Sequence, residues 1–273
     1  MELQGAVAIV TGAGGGIGSA VARRLAAEGV SLVLADRDAE SLGAIERELE
    51  HEVVVVSRVG DVGDDSHHRE LVDAATRVGG PILSVLNAGV YLPGFSWELS
   101  EEQWDLHVRA NLWGVVHGIR AAVPAMVERG EGHVVGMASG AGLVATPALG
   151  AYVATKHAVV GLMESLHHEL ARVAPGVHAS VVCPGNVRTP MAANSLAAAG
   201  VEEERLRAEV EPVARTIRAG NDAGEDPSTV ADAIVDAVLE QRFWVLPQPE
   251  VAFAALDRVQ RLADGRPPID LFG

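Results

Sequence analysis

Apolar positions fall into short, nearly continuous runs separated by glycine-marked turns and by longer stretches with a helical period. Residues 6–10, 31–35, 52–57, 82–86, 133–137 and 177–182 read as strands. Helical periodicity occupies 16–28, 39–50, 65–78, 101–129 and 150–173 between them. Continuous apolar strands alternating with helices predict an α/β fold: a single, doubly wound parallel sheet with helices on both faces. After Pro190 the pattern changes. Residues 191–225 are rich in Ala, Glu and Arg and contain no strand, which predicts one or two helices. A helix near 227–240, a strand at 243–246, a helix over about 250–263 and a tail with Pro267-Pro268 follow. No linker-like break and no fixed-period repeat interrupts the chain, so one domain over 1–273 is expected. In that reading about 190–225 forms a small helical substrate lid after the sixth strand, and about 243–273 supplies a C-terminal strand, helix and tail.

Composition narrows the class. Apolar residues make up 48% of the 273 positions, enough for a large core, while aromatics are only 4%. The formal net charge of −16 opposes binding to nucleic acid, whose affinity comes mostly from cations meeting phosphates. Anionic membrane surfaces are disfavoured for the same reason. Cys183 is the one cysteine, so no internal disulfide can form; a buried residue at a strand end in a reducing, cytoplasmic compartment is expected. The first residues lead into a strand without a basic leader, and the apolar stretch 143–163 is interrupted by Pro147, Tyr152, Lys156 and His157. Neither a signal peptide nor a membrane-spanning helix is therefore expected. The ten histidines show no ligand spacing, and no metal site is expected.

The first turn carries the first chemistry. Gly12, Gly14, Gly15, Gly16, Ile17 and Gly18 lie between the first strand and the first helix. A dinucleotide pyrophosphate sits at this point of a doubly wound, Rossmann-like fold, held by backbone N–H groups and the positive helix end. Asp36 closes the second strand, where a carboxylate accepts hydrogen bonds from ribose hydroxyls and repels a 2′-phosphate. Arg37 beside it would accommodate such a phosphate. The balance favours NAD over NADP.

Twenty of the 21 basic residues are arginine; the exception is Lys156, four positions after Tyr152. Where Arg is the rule, the surviving Lys suggests a need for a compact ammonium. A cation beside a phenol favours the phenolate, which turns a group of pKa ~10 into an acid/base catalyst. Taken alone, the pair equally fits a surface contact at i, i+4.

Together these residues resemble the short-chain dehydrogenase/reductase family over about 5–192. The turn 11–18 is similar to its T-G-x-x-x-G-x-G motif. Asp61-Val62 resembles its adenine-contacting pair, and Asn87-Ala88-Gly89 most of its N-N-A-G motif, with Leu86 at the first Asn. Residues 184–189 resemble its P-G-x-V-x-T segment, and Ser139 stands at the family's distance from Tyr152. The resemblance implies roles. Tyr152 would exchange the substrate hydroxyl proton. Lys156 would hold the nicotinamide ribose and lower the Tyr152 pKa. Ser139 would orient the reacting oxygen, and Asn111 would help hold a water linking Lys156 to solvent. Pro184, Gly185, Val187 and Thr189 would border the nicotinamide.

The leading expectation is an NAD-dependent oxidoreductase that interconverts a secondary alcohol and a ketone. The alternatives are an NADPH-dependent 3-oxoacyl-thioester or carbonyl reductase, which Asp36 opposes, and a non-catalytic dinucleotide sensor, which the intact Ser139, Tyr152, Lys156 and Asn111 oppose. Segments 91–98 and 140–149 and the lid are expected over the substrate. Leu92, Phe95, Trp97, Leu143, Val144, Leu149, Met191 and Leu196 are candidates for an apolar lining, although the same residues fit core or oligomer contacts equally well. The resemblance also implies a homodimer or homotetramer, with helices at 101–129 and 150–173 packed about a two-fold axis.

Overall fold

The apolar runs assemble into a seven-stranded parallel sheet in the order β3-β2-β1-β4-β5-β6-β7. The computed structural model describes residues 2–201 and 210–269. The strands are β1 (Val7–Thr11), β2 (Ser31–Asp36), β3 (Val55–Val59), β4 (Leu83–Leu86), β5 (Gly132–Met137), β6 (Val177–Val182) and β7 (Trp244–Val245). Alternation along β1 decides the layers. Ala8 and Val10 face α1 (Gly16–Ala27), α2 (Ala39–Leu49) and α9 (Pro227–Glu240) through Val21, Leu25, Ile45, Val230 and Ile234. Val7 and Ile9 face the opposite way, against Leu71, Ala74 and Ala75 of α3 (Asp65–Val78). On that second face α5 (Gly114–Arg129) and α6 (Gly150–Val173) cover β4 to β6 through Met126, Val159, Met163 and Leu170. Each fully buried Leu or Val in these layers contributes about 1.5–3 kcal/mol.

The chain moves outward from β1 through β2 to β3, then crosses to β4 on the other side of β1. The connections leaving β1 and β4 therefore diverge at their carboxyl ends and leave a crevice there.

Three boundaries differ from the sequence pattern. The expected helix over 101–129 is divided into α4 (Glu101–His107) and α5 by a wide π turn, Val108–Trp113. Hydrophobic period persists through such an insertion, but the turn carries Asn111 inward to Val90. The third strand runs to Val59 rather than over 52–57, because its parallel register with β2 pairs Val59 with Asp36. The last strand shortens to two residues at the sheet edge.

Beyond β6 lie α7 (Met191–Ala199), α8 (Glu211–Asp222) and α10 (Pro249–Ala263). The expected lid range 190–225 and the tail range 243–273 extend into 202–209 and 270–273, which lie outside the described residues. Among the described residues no helix is long and apolar enough to cross a membrane.

Candidate active site

Glycine decides the first wall of the crevice. Gly12 adopts φ +66°, and a Cβ there would meet the Ala88 Cα at 2.9 Å. A Cβ on Gly18 would lie 2.0 Å from the Gly12 carbonyl oxygen. Backbone cannot yield as a flexible side chain can, so both positions require glycine. The turn between them packs directly on the segment after β4. Thr11 Oγ1 accepts the Asn87 and Ala88 N–H groups at 3.0 and 3.2 Å. The Asn87 amide in turn donates to the Thr11 and Gly12 carbonyls at 2.9 and 3.2 Å. Gly15 and Gly16 open helix α1 with backbone N–H groups at its positive end.

Asp36 stands at the end of β2. Its carboxylate accepts the Gly14 N–H at 2.9 Å and the Asp38 N–H at 3.0 Å, which fixes it to the turn. A carboxylate has about four lone-pair sites, so acceptor capacity remains for a ligand. Arg37 reaches across the crevice to the Asn194 carbonyl of α7 at 3.5 Å. At the third corner Asp61 accepts from the Gly63 N–H at 2.7 Å and from Arg109 at 3.1 Å. Burial pushes the Asp61 carboxyl up, but the Gly63 and Arg109 hydrogen bonds outweigh it and hold the group below the usual carboxylate range.

The opposite end holds the titratable cluster. Ser139 follows β5, Tyr152 and Lys156 lie on the first turns of α6, and Cys183 follows β6. Lys156 is 2% exposed and donates to the Met137 carbonyl at 2.7 Å. Its ammonium lies 5.7 Å from the Tyr152 ring centroid. Burial pulls the ammonium down to about 8. Burial also raises the Tyr152 phenol, and a hydrogen bond with the Ser139 hydroxyl opposes that rise. The Ser139 hydroxyl is therefore one side chain that favours the Tyr152 phenolate in this arrangement. Lys156 has committed one hydrogen to Met137 and sits over the ring. The expected placement of Cys183 holds: it is fully buried, and burial pushes its thiol up to about 12, an inert state.

Ser139, Tyr152 and Lys156 border the same cavity as Asp36, Arg37 and Asp61, of about 930 Å³. Its wall includes Gly12, Gly15, Gly16, Ile17, Asp36, Arg37, Asp61, Val62, Asn87, Ala88 and Gly89, then Ser139, Tyr152, Lys156, Pro184, Gly185, Val187 and Thr189. Three expected site residues do not reach the wall. Gly14 packs on Asp36 and Ser41, and Gly18 lies beneath Gly12. Asn111 is completely buried; its side-chain oxygen accepts the Val90 N–H at 2.8 Å, and its amide donates to Val90 O and Thr155 Oγ1. Those bonds occupy the Asn111 side chain in bracing the loop behind Lys156.

The apolar lining expected from sequence is corrected in part. Val144, Leu149 and Met191 border the cavity. Leu92 is core at 1% exposed, Leu143 packs into the core beside α6, and Phe95 and Trp97 stack on each other with Trp97 77% exposed. Leu196 is likewise absent from the wall. The expected segments 91–98 and 190–225 do border the cavity, through Tyr91, Ser195, Ile217 and Asn221, none of which was singled out as lining; Val251 and Ala254 of α10 were missed, and the six complete the wall from four segments. Tyr91 alone left a signal, as the chain's second tyrosine two positions after Gly89.

The family profile for short chain dehydrogenases matches residues 6–200. The chain belongs to that family. An uncharacterized NAD-dependent oxidoreductase of Mycobacterium tuberculosis is 40% identical over 206 residues, 70% of this chain and 74% of that protein. D-beta-hydroxybutyrate dehydrogenase of Rhizobium meliloti is 36% identical over 220 residues, covering 74% and 81%. Among solved structures, a short chain dehydrogenase/reductase of Burkholderia phymatum in complex with NAD superposes with a TM-score of 0.94. It is 33% identical and covers 100% of this chain and 99% of that one.

A dinucleotide fits the site on its own geometry. The glycine cradle leaves space that a Cβ would fill, backbone N–H groups open α1, and Asp36 and Asp61 offer acceptors at the far corner.

Proposed function

We propose that this short-chain dehydrogenase is an NAD-dependent oxidoreductase that interconverts a secondary alcohol and a ketone. The observation that carries the reading is the continuity of the cavity from the Gly12–Asp36 corner to Tyr152 and Ser139. One ligand can lie along the glycine turn with its far end beside the titratable cluster. Asp36 supports NAD over NADP, because its charge, held in place by two backbone N–H groups, opposes a 2′-phosphate. Both the Mycobacterium relative's name and the Burkholderia structure's ligand agree with that choice.

Gly12, Gly15, Gly16 and Ile17 would hold the pyrophosphate, Asp36 the adenosine ribose, Asp61 and Val62 the adenine. Lys156, Pro184, Gly185, Val187 and Thr189 would border the nicotinamide half. When bound, the oxidised dinucleotide supplies a cationic ring that accepts a hydride from the alcohol carbon. Ser139 Oγ orients the carbinol oxygen. Tyr152 takes the hydroxyl proton in oxidation and returns it in reduction. Lys156 remains mostly charged near neutral pH, supplies positive potential to the phenol, and is held in register by Met137 O. Asn111 fixes the loop behind them. Helices α7 and α8 act as a lid within a single domain, and the small-molecule substrate enters beneath them. The protein is read as cytoplasmic. Trp113, Val127 and Val173 leave apolar surface on or beside α5 and α6, which suits a homodimer or homotetramer built on those helices.

The direct test is a melting series with NAD⁺, NADH, NADP⁺ and NADPH, followed by an alcohol screen with the preferred pair. A ligand that binds only the native state raises the melting point with occupancy. The reading expects a larger shift with NAD(H) and dinucleotide reduction by secondary alcohols. A larger NADP(H) shift would replace the cofactor assignment, and no shift with any of the four would remove the catalytic one.

A further inference from the structure

The chain's two tyrosines meet inside the cavity. Tyr91 and Tyr152 have ring centroids 5.8 Å apart at an interplanar angle of 58°. The rings are tilted toward each other, at a centroid separation within the range at which aromatic pairs attract. Tyr91 is 7% exposed, and the surface it retains borders the cavity. Its backbone is fixed from the lid side: the Tyr91 N–H donates to Ser195 Oγ at 3.1 Å. Ser195 is the one buried residue of α7, at 1% exposed. Burial, with Tyr152 adding to it, pushes the Tyr91 phenol up to about 12, so Tyr91 stays neutral and is no rival for proton transfer. What it offers is an aromatic wall beside Tyr152, in a cavity that Val144, Leu149, Ile217 and Val251 also line.

We propose that Tyr91 is a specificity-determining residue whose ring, set against Tyr152 and latched to α7 through Ser195, selects alcohols and ketones that carry a ring next to the reacting carbon. This inference rests on the proposed alcohol–ketone activity and names the substrate class of that same site. A substrate ring placed there meets Tyr91 in the corner that Tyr152 closes. A linear chain of equal size meets the same apolar walls but gains nothing from the aromatic face. Aromatic contacts are worth about 0.5–1.5 kcal/mol beyond area burial, which corresponds to about a two- to tenfold preference.

The test uses the full-length enzyme saturated with NAD⁺ and two probes of similar size, acetophenone and methyl hexyl ketone. Calorimetric affinities and, in parallel, reduction of each ketone with NADH are compared for the wild type, Tyr91→Phe and Tyr91→Leu. The inference expects tighter binding of acetophenone by the wild type and by Tyr91→Phe, and loss of that preference in Tyr91→Leu, with the change confined to KM. Equal affinities in the wild type, binding of neither probe, or a ring preference that survives in Tyr91→Leu would each overturn it. Ring-selective binding without turnover of either ketone would leave the Tyr91 assignment standing and count against the catalytic reading alone.

Discussion

The two halves of the cavity are built by different means. The cofactor half is made of backbone: the glycine-rich turn from Gly12 to Gly18, the Thr11–Asn87 hydrogen-bond lattice, and carboxylates pinned by N–H groups at strand ends. The substrate half is made of side chains drawn from the β4 segment, α7, α8 and α10. Backbone geometry tolerates few residue types, whereas an apolar wall accepts any side chain of suitable volume. The first half should therefore fail abruptly on substitution, and the second should retune.

The sharpest break is Gly18→Ala. The new Cβ meets a carbonyl oxygen that cannot move, so NADH affinity, read by fluorescence titration, should fall by more than about 100-fold, beyond the range of a single lost hydrogen bond. Ile217→Val on the substrate side should change KM by less than about tenfold, because losing one buried CH₂ from an apolar wall costs about 0.8 kcal/mol. Comparable losses in the two variants would erase the distinction.

Asp36→Asn comes next. The amide oxygen can keep one backbone N–H bond while the charge disappears, so the NADP-to-NAD ratio of kcat/KM should rise about tenfold, in line with ~1.5–3 kcal/mol for hydrogen bonds to charged groups. An unchanged ratio would move the selectivity to Arg37.

Acid should unsettle the cofactor half through the histidines beneath it. His68 Nε2 pairs with the Val62 carbonyl at 3.0 Å, beside His67, His117 and Asp65. Burial lowers His68 from 6.5 to about 4. The unfolded chain therefore binds this proton first as pH falls. The stability held by neutral His68 is complete above 6.5 and is lost as pH drops through about 4. Denaturant midpoints between those limits should decline, and His68→Gln should flatten the slope; an identical slope in the variant would refute the assignment.

The smallest expected effect is Ser195→Ala, which removes the α7 latch on Tyr91. One neutral hydrogen bond is worth about 1 kcal/mol, so KM should rise about fivefold with kcat nearly unchanged. A fall in kcat instead would place Ser195 closer to the chemistry than its geometry does.

The same contrast explains what the sequence disclosed. The glycine turn, Asp36, Asp61 and the Tyr152–Lys156 pair were legible because each sits at a strand end or at helical spacing, where local rules fix position. Asn111 was found as a residue, but its place in a π turn and its complete use in holding Val90 depend on packing that hydrophobic period does not record. The substrate wall was the least legible. Leu92 and Trp97 are equally apolar in sequence, yet one is core and the other faces solvent. Tyr91 and Val251 meet the same space only because β4 and α10 converge there.

The central claim is that Tyr152 carries the proton while the glycine half holds the dinucleotide independently. Tyr152→Phe removes one oxygen and preserves the ring against Tyr91, so the measurement is turnover and NADH affinity on that one variant. Turnover reduced by about 100-fold or more, within the range of a lost general acid/base, with NADH affinity within about threefold, is the predicted result. Turnover close to the wild type would contradict the account, as would an affinity that falls together with turnover.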